Sequence, residues 1–302
     1  MTTDRRITES ENPKTSEIDK LDIETALSLI NAEDASVAEA VGSAIPSIAR
    51  FLENLLPRLK AGGRLIYVGT GTSGRLGVLD ASEIPPTFGV PYGKVIGLIA
   101  GGYEALHKAV EASEDDSDAG RTDLESISLD SLDTVVGIAA SGRTPYTIGA
   151  LIHANGKGCL TACITCVPDS EITKVATHPI VAVVGPEVIA GSTRMKSGTA
   201  QKMILNMIST MMMIRLGYVS GNRMTNLRAS NEKLRERTLQ ILMAETSLDK
   251  EAAERLLLES DGDLKVALVM EKTGASKEIS VKALEQSAQV ISEAVRRLSD
   301  EN

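Results

Sequence analysis

The tripeptide Ser-Gly-Arg occurs twice in this chain, each time just past an apolar run that reads as a buried β-strand. Ser73-Gly74-Arg75 follows Leu65-Ile66-Tyr67-Val68 and the glycine-rich Gly69-Thr70-Gly71-Thr72. Ser141-Gly142-Arg143 follows Val135-Val136-Gly137-Ile138-Ala139-Ala140, and Thr144 and Pro145 come next. Each is a strand running into small hydroxyl residues and glycine ahead of a helical pattern. Such a junction brings backbone N–H groups and hydroxyls together at a helix N-terminus, where the dipole favours an anion. Two in one parallel sheet point to a phosphorylated ligand held by Thr72, Ser73, Gly74, Ser141, Gly142, Arg143 and Thr144. Gly69, Gly71 and Gly74 also match the dinucleotide spacing, a weak signal. No acidic residue follows the second strand to hold a ribose, and no Gly-Lys-Ser/Thr follows the loop, so a single phosphate fits better than a nucleotide.

Two groups of carboxylates lie downstream. Asp80-Ala81-Ser82-Glu83 precedes Pro85-Pro86, and the proline pair is expected to end a helix and hold Glu83 near the first loop. The run Glu111-Ala112-Ser113-Glu114-Asp115-Asp116-Ser117-Asp118 packs five acids into eight residues. Most such runs are solvated helix starts. Two carboxylates gathered around one substrate can instead divide acid and base roles. The segment from Gly185 to Lys202 is dense in small and cationic residues. It could turn Arg194 or Lys196 toward an anion, or cap the following helix and pack at a subunit contact. The three cysteines, Cys159, Cys163 and Cys166, fall in one β-branched run and read as buried thiols. No metal site is expected, since neither His153 nor His178 completes a ligand spacing.

These residues need a frame. Strands are expected at 64–68, 94–99, 134–139, 159–166 and 179–184, with helices around 74–82, 102–110, 114–124 and 145–156. That alternation predicts an α/β fold with a doubly wound, parallel five-stranded sheet. In the common 2-1-3-4-5 order the switch point lies between strands one and three, the two that end in Ser-Gly-Arg. Residues 1–20 read as a polar arm, followed by helices over 21–30 and 37–59 punctuated by Pro46 and Pro57. An apolar helix runs from Met203 to Ile214, with Ser192 or Thr193 as its N-cap. Three or four short helices from Ala229 onward suggest a small C-terminal bundle. The expected domains are 1–56, N-terminal arm and helices; 57–220, sugar-phosphate-binding; and 221–302, C-terminal helical. The charge of −9 and the 2% aromatic content, with no Trp, argue against nucleic acid as a partner. No apolar run reaches a membrane span and the start is polar, so a cytoplasmic protein is expected.

At four stretches the chain resembles the N-acetylmuramic acid 6-phosphate etherase family: GRLIYVGTGTSGRLGVLDASEIPPTFG (63–89), GLIAGG (97–102), VGIAASGRTPY (136–146) and GPEVIAGSTRMKSGTAQK (185–202). The likeness runs from Ile7-Thr8-Glu9 through Asn231-Glu232-Lys233-Leu234 and more loosely beyond. It implies a sugar-isomerase (SIS) fold, a homodimer, and no metal or organic cofactor. It places the acid/base pair on Glu83, in Ala-Ser-Glu-x-Pro-Pro-Thr, and on Glu114, in Val-Glu-x-x-Glu-Asp. Ile84 and Ser113 stand where the family pattern has Cys and Ala, and Tyr103 is inserted in the Gly-Gly-Glu neighbourhood.

The implied substrate is a 6-phosphosugar with a D-lactyl ether at C3. An ether is hard to hydrolyse directly because the alkoxide leaves poorly. Ring opening exposes an aldehyde at C1 that acidifies the C2 proton. A carboxylate then removes that proton, lactate leaves from C3, and water adds back there. The resemblance assigns Glu83 as proton donor and Glu114 as the other acid/base residue. Two rivals share the phosphate loops: a sugar-phosphate isomerase, and a non-catalytic sugar-phosphate sensor of the same superfamily. The paired glutamates favour the etherase over the isomerase, and a single SIS-like unit is small for the sensor.

Overall fold

The computed structural model describes residues 7–108, 110, 113–226, 232–287 and 289–300. Met1 to Arg6 of the expected arm, Glu111 and Ala112 of the acidic run, and Asn231 lie outside the described residues. The chain divides into two compact units: residues up to 82 with 93–209, and residues 83–92 with those from 210 on.

The first unit is built on a parallel sheet of β1 (Leu65–Gly69), β2 (Val95–Ile99), β3 (Thr134–Ile138), β4 (Leu160–Thr165) and β5 (His178–Val181). The order is β2-β1-β3-β4-β5, with the reversal between β1 and β3 as expected. Its helices are α1 (Ile23–Asp34), α2 (Val37–Lys60), α3 (Gly71–Phe88), α4 (Ser117–Ser126), α5 (Pro145–Gly156), α6 (Glu171–Val175) and α7 (Lys196–Arg215); α3 and α7 run on into the second unit. Both faces of the sheet are covered, which is why the central strands β1 and β3 are buried at every position rather than alternating. Ile66, Val68, Val135 and Cys163 pack with Leu124 of α4, Leu151 of α5 and Ile172 of α6. On the other face the Tyr67 hydroxyl donates to Asp80 of α3 at 3.0 Å, and Asn206 and Ser209 of α7 donate to the same carboxyl at 2.9 and 3.0 Å. Burial raises the Asp80 pKa against these three hydrogen bonds. The cysteines are all buried, and burial pushes Cys163 and Cys166 up to about 12, so they are inert core thiols.

Three expectations about helix ends change. Pro46 and Pro57 do not punctuate α2, which runs unbroken from Val37 to Lys60. Both are exposed, as are Gly42 and Glu53 four residues before them, so the carbonyls left without a donor face water. Val41, Ala44, Ile48, Phe51, Leu52, Leu55 and Leu59 hold the other side of α2 in the core. Pro85 and Pro86 likewise lie inside α3 rather than ending it. The helix stops at Gly89, whose φ of 66° places it in the left-handed region natural to glycine at a helix C-terminus. The Asn226 side chain then donates to the freed carbonyls of Phe88 and Gly89 at 3.1 and 3.2 Å. The helix expected over 102–110 is a 3₁₀ turn, Gly102–Leu106, and α4 begins at Ser117, after Glu114, with Asp116 as its N-cap.

The polar start is not a loose arm. Residues 7–20 form three short 3₁₀ turns with Thr8, Asn12 and Thr15 buried. Thr15 Oγ1 donates to the Val188 carbonyl at 2.7 Å and Gly191 N–H to that of Thr8 at 3.1 Å.

The second unit holds a two-stranded ribbon, β6 (Val219–Ser220) and β7 (Arg223–Met224), and beyond it, among the described residues, five helices where three or four were expected. These are α8 (Glu232–Thr246), α9 (Lys250–Glu259), α10 (Leu264–Thr273), α11 (Lys277–Gln286) and α12 (Ile291–Asp300). Leu242, Ala253, Leu268, Leu284 and Ala294 form their shared core. Lys265, buried at the base of α10, sits 4.7 Å from the Tyr218 ring centroid, and burial lowers its pKa to about 8.

Candidate active site

The two Ser-Gly-Arg loops follow neighbouring strands and lie at the carboxyl end of the sheet on either side of the switch point. At the first, α3 begins immediately after Thr70. Gly74 N–H donates to the Thr70 carbonyl at 2.9 Å, the first rung of the helix. The N–H groups of Gly71, Thr72 and Ser73 precede it at the start of a long helix, where the dipole favours negative charge. Gly74 itself is packed: a Cβ there would lie 2.6 Å from the Gly69 carbonyl oxygen.

The second loop is different. Gly142 has φ 68°, and a Cβ on it would lie 2.1 Å from Ser170 Oγ, so only glycine makes this turn. Pro145 occupies the first position of α5 and has no N–H to offer, and Tyr146 N–H donates to the Glu114 carbonyl at 3.1 Å. The side chains of Ser141, Arg143 and Thr144 are all half-buried.

Glu114 joins the two loops. Its carbonyl is held by the first turn of α5, while its half-buried carboxylate reaches the other loop: Oε1 lies 3.2 Å from where a Cβ on Gly71 would stand. A close helix crossing behind it fixes this placement. Gly120 of α4 would clash with the Tyr146 carbonyl at 2.3 Å, and Gly149 of α5 with that of Ser117 at 2.1 Å, if either carried a Cβ.

Glu83 lies exposed on α3, one residue before the buried Ile84. The expectation that it stands near the first loop at a helix end fails because the helix does not end there. At 1.5 Å per residue, the helix carries it roughly 18 Å along its axis from Gly71.

The segment from Gly185 to Lys202 turns out to be structural at its cation. Lys196 is buried, and its Nζ donates to Glu33 at 2.8 Å; Glu33 also accepts from Lys14 and Asn12, each at 2.8 Å. The hydrogen bonds from Lys14 and Lys196 hold the Glu33 carboxyl down at about 2. Glu187, fully buried, accepts from the backbone N–H groups of Lys196 and Ser197, both at 2.9 Å. It caps α7 in place of Ser192 or Thr193, because its two oxygens reach both free N–H groups at once. Arg194 is exposed. Gln201 was not anticipated: it is buried on α7, and Ser73 Oγ donates to its Oε1 at 2.9 Å. Among the described residues no cluster of His, Cys, Asp and Glu could hold a metal ion, and no helix is long and apolar enough to cross a membrane.

Comparison with known proteins decides the family. A relative from Caldanaerobacter subterraneus subsp. tengcongensis, named N-acetylmuramic acid 6-phosphate etherase, is 50% identical over 296 residues, covering 98% of this chain and 97% of that one. A Yersinia pestis relative of the same name is 52% identical over 280 residues, covering 93% and 95%. The chain belongs to the N-acetylmuramic acid 6-phosphate etherase family. Residues 47–155 match the family model of the glucokinase regulatory protein N-terminal SIS domain, and residues 113–211 that of the SIS domain. Among solved structures, phosphoheptose isomerase from Neisseria gonorrhoeae is similar at TM-score 0.47 and 14% identity, over 63% of this chain and 99% of that one. The departures from the etherase pattern sit quietly: Ile84 is buried, Ser113 half-buried, and Tyr103 exposed with its ring edge-on to His107 at 5.2 Å.

Proposed function

We propose that this etherase works on N-acetylmuramic acid 6-phosphate as a homodimer, each site joining the two Ser-Gly-Arg loops and Glu114 of one chain to Glu83 of its partner. The reaction cleaves the lactyl ether in cell-wall amino-sugar recycling. The observation that carries the site is the bridging position of Glu114, carboxylate at the first loop and carbonyl at the second. The loops hold the 6-phosphate. With the ring open, one carboxylate takes the C2 proton, the C3–O bond breaks, and the second carboxyl protonates the departing lactate oxygen. Water then adds at C3 of the alkene, giving N-acetylglucosamine 6-phosphate and D-lactate. Each proton transfer contributes about 10²–10⁴-fold.

Helix geometry supports the partner's role. A hexose 6-phosphate places its phosphate about one ring-width from C2 and C3, well short of the rise along α3 that separates Glu83 from the first loop. In a two-fold assembly, the exposed Glu83 of a second copy is free to face a site that its own helix start does not form.

The reaction in ¹⁸O-labelled water tests the chemistry. Elimination and hydration put the label at C3 of the sugar and leave the lactate hydroxyl unlabelled; label in the lactate would mean attack at the lactyl carbon and would overturn this mechanism. Ser73→Ala and Ser141→Ala test the loops. Each removes a charge-assisted hydrogen bond worth about 1.5–3 kcal/mol, so affinity for the sugar phosphate is expected to fall roughly ten- to hundredfold. Parent-like titrations for both would refute the phosphate assignment.

A further inference from the structure

Ser73 is the one loop hydroxyl with a buried amide behind it. Its Oγ donates to Gln201 Oε1 at 2.9 Å, and Gln201 is only 1% exposed. The other half of that amide, Nε2, is buried without a hydrogen-bond partner among the described residues. An unmet buried donor costs about 1–3 kcal/mol, so a chain that keeps one should have a use for it. Beside it, Gly198 of the same helix lies against Thr72, where a Cβ would stand 3.4 Å from the Thr72 methyl, so this turn of α7 backs the phosphate loop directly.

In the observed arrangement the Ser73 proton is committed to Gln201, and only lone pairs remain for a ligand. Lone pairs repel a phosphate dianion. A half-turn of the amide exchanges its two ends, so that Nε2–H donates to Ser73 Oγ and the Ser73 proton is released toward the anion. In the same movement Nε2 gains a partner and Oε1 gives its own up, so the turn is driven by the anion and not by the amide. We propose that Gln201 is a positioning residue that sets the direction of the Ser73 hydroxyl and turns its amide when phosphate binds. This rests on the assignment of the first loop to the phosphate.

A double-mutant cycle between Ser73→Ala and Gln201→Met tests it, with inorganic phosphate titrated by calorimetry and kcat and KM measured on the phosphosugar. Gln201→Met keeps volume and helix preference but can neither donate nor accept. It leaves the Ser73 hydroxyl able to donate but no longer aimed, so it is expected to weaken phosphate binding by a few-fold, less than Ser73→Ala does, and to add little in the Ser73→Ala background, since both act through one hydroxyl. Gln201→Glu can only accept and adds a charge, so it is expected to weaken binding further, to fold as the parent does by circular dichroism, and to regain affinity at low pH as its carboxyl protonates. Unchanged binding in both Gln201 variants, or an effect that persists undiminished without the Ser73 hydroxyl, would overturn the role given to Gln201. Parent-like phosphate binding by Ser73→Ala alone would instead remove the loop assignment.

Discussion

Mixed dimers of Glu83→Gln and Glu114→Gln chains are expected to release lactate where neither variant does so alone. Each substitution preserves size and hydrogen bonding but removes a titratable carboxyl. Each homodimer should therefore still bind the phosphosugar through its loops while turnover falls by about 10²-fold or more. In a hybrid, one site receives an intact Glu114 from one chain and an intact Glu83 from the other, and the second site receives neither. Random exchange makes about half of the dimers hybrids, so the mixture should recover roughly a quarter of parental activity. Differently tagged chains purified in tandem would verify that hybrids have formed. Verified hybrids no more active than the separate variants would mean that the carboxylates do not pair across chains.

The other large effect is expected in stability. Glu33→Ala leaves the buried Lys196 ammonium without its counter-charge, and removing one partner of a buried pair costs about 3–5 kcal/mol. Replacing both, with Glu33→Leu and Lys196→Met, should restore much of that loss, which a denaturant midpoint would register. Stability should also follow the carboxyl. Because the fold holds Glu33 at about 2, below its ordinary value of 4.5, its contribution is fully present above that ordinary value and drains away as pH falls toward 2. This amounts to about 3 kcal/mol in the parent, and the corresponding acid-side slope should be shallower in Glu33→Gln. A parent-like acid slope in Glu33→Gln would show that other carboxyls carry the transition.

The sheet was legible because its strands are short and rich in apolar and β-branched residues, with glycine or hydroxyl punctuation after β1, β2 and β3. The same rule placed both loops and the switch point between them. Helix ends were read less well. Proline reads as a stop at positions 46, 57, 85 and 86, yet all four lie inside helices; at 46 and 57 the residues four before are exposed, so the carbonyls left without a donor meet water while the opposite face is buried. Glu114 was nameable from its motif, whereas its bridging of two loops depends on a helix crossing at Gly120 and Gly149 that no local pattern encodes. Lys196 was left open between ligand and scaffold, and its partner Glu33 lies far away in sequence. Long-range pairs of this kind leave no spacing to read. Gln201 was invisible for the same reason, since its meaning comes from Ser73, on a different element.

The bond from Tyr146 N–H to the Glu114 carbonyl joins main chain to main chain. A scan through all side chains at either position would leave it standing, except where proline removed the amide hydrogen at 146. The bond belongs to the backbone, so it makes no demand on the side chain at 146, and the loop and the Glu114 carboxylate stay fastened together whatever residue other than proline stands there. A comparison of letters between distant descendants would record variation there and miss the constraint. Replacing that one amide by an ester, which swaps the N–H for an oxygen and alters no side chain, is the kind of edit that reaches it.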